Sequence, residues 1–204
     1  MLDHLTGYQS EKLSADEYLS DFWPYFQKLE GVFWKLECRQ SFREPRNPSW
    51  QALDRGDWHE ALRIIDETST EIQAPILDSP GFPMHRLRLV TRPYTPYLRW
   101  ELHFIRLRAQ AGERIRVLDT EALGQGRRPL PELVILGSSV MYEVVYDQSG
   151  TLSGARKISD PALIESCRHD VEDLFARGED LLTFLDRDRA ALPPPLSDAT
   201  HESR

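Results

Sequence analysis

The sequence has few cysteines, no long apolar run and none of the short motifs that announce a common catalytic site. Each absence excludes something. Cys38 and Cys167 stand far apart with no paired spacing, so neither a zinc site nor a redox pair is expected. Both read as reduced thiols in or near the core. His4, His59, His85, His103, His169 and His201 show no metal spacing, and neither a metal nor a cofactor is expected. No apolar stretch approaches the roughly 20 residues a membrane span needs. The opening Met-Leu-Asp-His-Leu-Thr has neither a basic nor an apolar leader segment, so a cytoplasmic location is expected. There is no Gly-x-Ser-x-Gly, Walker loop, Gly-x-Gly-x-x-Gly or His-Glu-x-x-His. Gly124-Gln-Gly126 is followed by Arg-Arg-Pro rather than by a helix, so it is no phosphate loop.

What is present suits a folded domain. The chain has 204 residues, 40% hydrophobic and 10% aromatic, enough for a sizeable core. A net charge of −8 argues against a surface that binds nucleic acid or an anionic membrane directly. The charge is unevenly spread. In residues 86–116 eight arginines stand against Glu101 and Glu113, a net +6, which leaves −14 for the rest. Residues 160–188 hold nine acidic side chains against three arginines, a net −6. These segments are expected to face one another, or else the arginines present a site for a phosphate or an acidic partner.

In chain order, residues 1–13 read as polar and flexible. Ser14-Ala-Asp-Glu17 is a capping box, and apolar residues at helical spacing continue from Tyr18 to about Arg39. Pro24 should kink or restart that helix. Asn47-Pro48 opens a second helix to about Thr68, with Trp50 and Trp58 either anchoring it or marking a ligand surface. Residues 14–70 thus form an N-terminal helical layer. Pro75, Pro80, Gly81 and Pro83 make 69–85 a loop and the best domain boundary.

Residues 84–188 read as an α/β domain organised around a strand–helix–strand unit. Leu87 and Leu89 alternate with Arg86 and Arg88, Thr95-Pro96 starts a helix that Gly112 ends, and Arg114–Leu118 alternates again. That spacing favours a parallel crossover. After a Gly/Pro/Arg loop at 124–131, Glu132–Leu136 and Val140–Asp147 form a hairpin around Gly137-Ser138-Ser139, and 154–158 a third strand. Asp160-Pro161 caps a last helix to about Asp186, and residues 189–204 read as a disordered tail. The fold class is α+β or α/β: a mixed sheet of about five strands packed by two long helices.

Chemistry concentrates on the central helix. At about 100° per residue, Arg99, His103, Arg106 and Gln110 form one polar stripe, flanked by Tyr97, Trp100 and Phe104 on one side and Leu98, Leu102 and Ile105 on the other. Glu101 and Arg108 fall opposite the stripe, between the apolar rows. A buried carboxylate must be paired. Glu101 therefore pairs with Arg108 or with an arginine on a neighbouring strand, or it lines a pocket as a base or ligand anchor. The candidate ligand-binding residues are Tyr97, Arg99, Trp100, Glu101 and Arg108, and the candidate catalytic residues are Glu101 and His103.

Two passages carry a resemblance. Tyr97-Leu-Arg-Trp-Glu101 leads to Ala111-Gly-Glu-Arg-Ile-Arg-Val-Leu118, and Val140–Tyr146, Gly150, Gly154, Asp160-Pro161 and Cys167-Arg168 lead into the long helix. Over residues 30–185 these resemble the actinobacterial domain of unknown function six-eight-seven-nine family. The resemblance implies a regulatory neighbourhood with helix-turn-helix proteins and no established activity. The closing strands also look like part of a phospholipase-D-like half domain, a family that needs a His-x-Lys pair. This chain has Tyr142-Glu-Val144 there, so that hydrolase activity is not expected. The expected function is a non-catalytic regulatory or ligand-binding module, working with a DNA-binding regulator or a small anionic ligand. The alternative is an enzyme acting on a phosphorylated or nucleotide-like small molecule, with Glu101 or His103 as base.

Overall fold

Ser14 starts the first helix as its capping box requires: its hydroxyl accepts from the Glu17 amide while Glu17 accepts from the Ser14 amide at 2.8 Å. In the computed structural model, which describes residues 2–78, 81–124 and 129–192, strand β1 (Glu11–Ser14) runs into helix α1 (Ala15–Gln27). The helix passes through Pro24 and stops at Lys28. The stretch expected to stay helical to Arg39 instead turns at Gly31 (φ 99°) and forms strand β2 (Phe33–Glu37). Its Phe-Trp-Lys-Leu-Glu sequence suits a strand buried on both faces.

The helix expected over 47–68 is two helices, α2 (Pro48–Asp54) and α3 (Trp58–Glu67). Gly56, at φ 82°, makes the break, and Asp57 caps the second helix through the Glu60 amide at 2.9 Å. Residues expected to be a loop after 69 form helix α4 (Ser69–Leu77), which accommodates Pro75, before strand β3 (Met84–Val90). Helix α5 (Pro96–Gln110) and strand β4 (Arg114–Asp119) follow, with β3 and β4 parallel as expected. Strands β5 (Glu132–Leu136), β6 (Val140–Tyr146) and β7 (Leu152–Ile158) form an antiparallel meander. Helix α6 (Pro161–Arg177), the short strand β8 (Glu179–Asp180) and helix α7 (Leu181–Arg187) close the fold.

The sheet has eight strands among the described residues, in the order β1-β7-β6-β5-β2-β3-β4-β8, where five were expected. The additional strands are β1, β2 and β8. Strands β1 and β8 are short and abut helix starts, and the apolar spacing of β2 runs on from α1, so their periods are hard to read. Strand β2 is drawn from the stretch read as a helical layer, yet it sits between β5 and β3. Gly154 lets β1 come close, because a Cβ there would lie 2.0 Å from the Leu13 carbonyl oxygen. The leading residues, expected to be flexible, place Leu2 and Leu5 in the core. Residues 125–128 of the Gly/Pro/Arg loop and 193–204 of the expected tail lie outside the described residues, whereas Arg189–Ala191 form a 3-10 turn.

The two faces of the sheet are covered differently. On the back, Trp34, Leu36, Leu87, Leu89, Ile135 and Met141 meet Leu163, Ile164, Cys167 and Val171 of α6. Each such aliphatic side chain contributes about 1.5–3 kcal/mol on full burial. On the front, α1 covers β5–β7 through Tyr18, Val134, Leu136 and Tyr142, while α5 packs on β3 and β4 with α7 beside it. Helices α2 and α3 seat behind α5 through Trp50, Ala61, Ile65 and Trp100.

Candidate functional site

Because the front is covered by α1 on one side and α5 on the other, the middle of the sheet there is the floor of a cleft of about 530 Å³. The floor alternates away from the back core: Phe33, Lys35 and Glu37 of β2 and Met84 and Arg86 of β3 line it. One wall is aromatic, from Phe22, Trp23 and Phe26 of α1. The other is Tyr97, Trp100, Glu101, Phe104 and Arg108 of α5.

Helix α5 is held in one rotation by its polar tips. Thr95 caps it through the Leu98 amide at 3.0 Å. Tyr97 donates its hydroxyl to Glu44 at 2.6 Å, and Trp100 donates its indole N–H to Ser49 Oγ at 2.8 Å. Ser49 in turn donates to the Ala61 carbonyl at 2.7 Å. With these contacts made on the α2–α3 side, Glu101 and Arg108 are turned toward the sheet.

A chain of buried charges fills the space below. Lys35 Nζ lies 2.6 Å from Glu37 Oε1, and Arg86 donates to Glu37 Oε2 at 2.6 Å and to Glu113 Oε1 at 2.9 Å. Arg108 donates its Nε to Glu113 Oε2. Beside this chain Arg88, 0% exposed, brings Nε and Nη2 each to 2.8 Å from Glu101 Oε2, and its Nη1 donates to the Glu37 and Leu89 carbonyls. The partner of Glu101 is thus the arginine of the neighbouring strand and not Arg108. Seven residues along a helix separate side chains by about 10 Å, too far for a direct pair.

The seven groups hold four cations and three carboxylates, a surplus of one positive charge; five are buried, and Lys35 and Arg108 are partly exposed. Their hydrogen-bonding capacity is unequally used. Glu37 has both oxygens engaged, as does Glu44 with Tyr97 and Asn47. Among the described contacts Arg108 uses only Nε, and the Arg43 guanidinium at the rim only lies 5.6 Å over the Trp50 ring. Glu101 Oε1 likewise has no described partner. Burial pushes the Glu101 carboxyl up to about 7, against the pull of Arg88 and with a further push from Glu37. Burial also opposes ionisation of Glu37, but Arg86, Lys35 and Arg88 outweigh it and hold that carboxyl well below the usual range.

Four of the residues named from sequence are brought together at the cleft: Tyr97, Trp100, Glu101 and Arg108. Arg99 and His103 are not among its lining. Arg99 donates to the Leu192 carbonyl at 2.7 Å and lies over Trp58, while His103 meets Asp66 at 3.2 Å. Sequence reasoning missed Lys35 and Glu37, whose polar alternation within Phe33–Glu37 was the available signal. The two oppositely charged segments do pack on each other, β4 beside β8 and β3 under α6, but three of the arginines find their carboxylates elsewhere. Arg86, Arg88 and Arg108 pair with Glu37, Glu101 and Glu113, and Arg92 reaches into the acidic segment, at Asp188. Cys38 and Cys167 are free thiols that burial raises, the latter to about 11, so both are poor nucleophiles. Among the described residues no group of three or more His, Cys, Asp or Glu is placed to hold a metal, and no helix is long and apolar enough to cross a membrane.

Comparison with known proteins gives a family and a loose likeness of fold. Residues 20–186 match the model of a domain of unknown function, DUF6879, and the chain belongs to that family. No curated protein matches. Among solved structures, NucT from Helicobacter pylori is similar at 7% identity and a TM-score of 0.49, over 84% of this chain and 98% of that one. TrmBL2, described as an archaeal chromatin protein with a novel mode of DNA binding, is similar at 8% identity and a TM-score of 0.46, over 85% of this chain. The match spans about half of that protein, 54% of its length. With TM-scores below 0.5, neither likeness bears on function.

Proposed function

We propose that this member of the DUF6879 family is a non-catalytic regulatory module that binds a small anionic ligand in the cleft between α1 and α5. The observation that carries the reading is the imbalance of free hydrogen-bonding groups. The cleft's free donors belong to Arg108, Arg43 and Lys35, whereas the oxygens of Glu37 and Glu44 are already engaged. An anion would complete these donors, whereas among the cleft's carboxylates only Glu101 Oε1 is left open to a cation. A second argument is energetic. Buried ion pairs are often no more stabilising than apolar residues of the same volume. A continuous buried charge chain beneath an open cleft is therefore poorly accounted for by stability.

The test is thermal stabilisation by small molecules graded by charge, on the wild type and on Lys35→Met and Arg108→Gln. Anions are expected to raise the melting temperature and the two substitutions to weaken that rise. Equal stabilisation by cations or neutral compounds would overturn the reading. The regulatory partner, a helix-turn-helix protein in line with the family resemblance, is sought by affinity capture of the tagged chain from lysate at low and moderate salt.

A second reading has one observation in its favour. Glu101 carries a free Oε1 in the cleft and a carboxyl raised to about 7, as a general base requires. An enzyme acting on a phosphorylated or nucleotide-like small molecule would use it so. Glu101→Gln tests it: losing the carboxylate opposite Arg88 lowers stability under either reading, and only a base also abolishes turnover of such a substrate.

A further inference from the structure

The walls of the cleft are chemically unlike, and the difference narrows the ligand. On α1 the rings pack on each other: Phe22 stacks on Phe26 at 5.3 Å and 26°, and Trp23 meets both edge-on, at 5.2 and 5.8 Å. Phe26 carries the array down to the floor, edge-on to Phe33 at 5.7 Å. Trp23 ends the array at the cleft while 54% exposed. A tryptophan so placed offers a large ring face that a planar partner can cover. The opposite wall and the floor supply the free donors of Arg108 and Lys35.

We propose that the ligand is an aromatic acid. Its planar ring lies on the α1 wall against Trp23, Phe22 and Phe26, and its anionic group, a carboxylate or a phosphate, meets Arg108 and Lys35. This rests on the anion-binding reading above. The arrangement selects a compact molecule with two ends, an apolar ring and a charge. The volume suits such a ligand, since pockets for small molecules run from about 300 to 1,000 Å³. A flexible aliphatic acid would bury area on the same wall but would gain nothing from the ring faces.

The experiment is isothermal titration of the full chain with naphthalene-2-carboxylate, its fully saturated decalin analogue, the neutral 2-naphthamide and 2-naphthyl phosphate. The wild type is compared with Trp23→Leu, which keeps an apolar side chain at an exposed position and is expected to fold. One aromatic acid should bind roughly threefold to tenfold more tightly than the saturated acid, the increment of an aromatic pair. That gap should close in Trp23→Leu. Tighter binding of the carboxylate or of the phosphate identifies the anion, and either supports the proposal. Equal binding of the saturated acid overturns the aromatic assignment and leaves the anion site standing. Equal binding of 2-naphthamide overturns the anion reading beneath it. Absence of binding by all four overturns both.

Discussion

The two faces of one sheet solve the same burial problem in opposite ways. Along β2 and β3 the back carries Trp34, Leu36, Leu87 and Leu89 under α6, and the front carries Lys35, Glu37, Arg86 and Arg88 between α1 and α5. The same strands supply both rows through their period of two. The back row is held by apolar contact, which is non-directional and tolerates small shifts. The front row is held by pairs that each need a partner in place. Along these two strands the back row therefore contributes stability without specific partners, and the front row positions charge beneath a cleft.

The largest expected effect tests that division. Arg88→Met leaves Glu101 buried without its cation and should lower stability by about 3–5 kcal/mol. Adding Glu101→Leu should recover most of the loss, because the pair is then replaced by apolar volume. On the back, Leu87→Ala should cost about 2–5 kcal/mol through lost transfer energy and a cavity. Urea unfolding of the singles and the double measures this. Additive losses for Arg88 and Glu101 would mean that the front row does not act as pairs, and the contrast between faces would fall.

A smaller effect comes from pH. Burial raises Glu101 and Glu132 to about 7, Glu132 despite accepting the Cys38 and Arg39 amides. Between about pH 4.5 and 7 the native state then holds protons that the unfolded chain has released, so stability falls as pH rises through that window. Glu37 and Glu113 are lowered, burial opposing and their arginines prevailing, so their contribution is present above the unfolded value and lost as pH falls below it. Stability should peak near pH 5 and decline on the order of 1–3 kcal/mol by pH 8. Glu132→Gln should flatten the alkaline limb. A flat profile in the wild type would show that these carboxylates ionise as they do in water.

Legibility in the sequence follows the same division. The β3–α5–β4 unit could be read because Arg86–Leu89 alternates cleanly and Thr95-Pro96 and Gly112 punctuate the helix. Strand β2 could not, because the apolar residues of α1 and β2 happen to continue one helical spacing across the turn at Gly31. That misreading hid Lys35 and Glu37, two of the three charged side chains on the cleft floor. A helical wheel found the ridge of Glu101 and Arg108 but not what faces it, since the pairing of β3 with α5 is tertiary. It also admitted Arg99 and His103, whose stripe faces α3 and Leu192 rather than the cleft.

Proton linkage at the cleft gives an effect of about threefold to tenfold. An anion on Arg108 and Lys35 adds negative charge near Glu101, already faced by Glu37 from β2 and by Arg86 and Arg88 from β3. Its carboxyl should then hold its proton more firmly, and affinity for naphthalene-2-carboxylate should rise as pH falls from 8 to 6. Calorimetry in buffers of different ionisation enthalpy counts the protons. In Glu101→Gln the uptake should vanish while binding persists, and undiminished uptake would place the proton elsewhere.

The smallest expected change in stability is at Lys35. Its side chain is 30% exposed, and of the cleft's described ion pairs its pair with Glu37 is the most open to water. Such pairs contribute roughly 0–1 kcal/mol, and Glu37 keeps Arg86 in any case. Lys35→Met retains the apolar stem and removes the charge, so unfolding should barely change. Ligand affinity should nonetheless fall severalfold, because Lys35 supplies one of the cleft's free positive donors. If stability drops as it does for Arg88→Met while affinity holds, the charges of the front row serve the fold after all. A fall in affinity at unchanged stability keeps the two faces distinct in purpose.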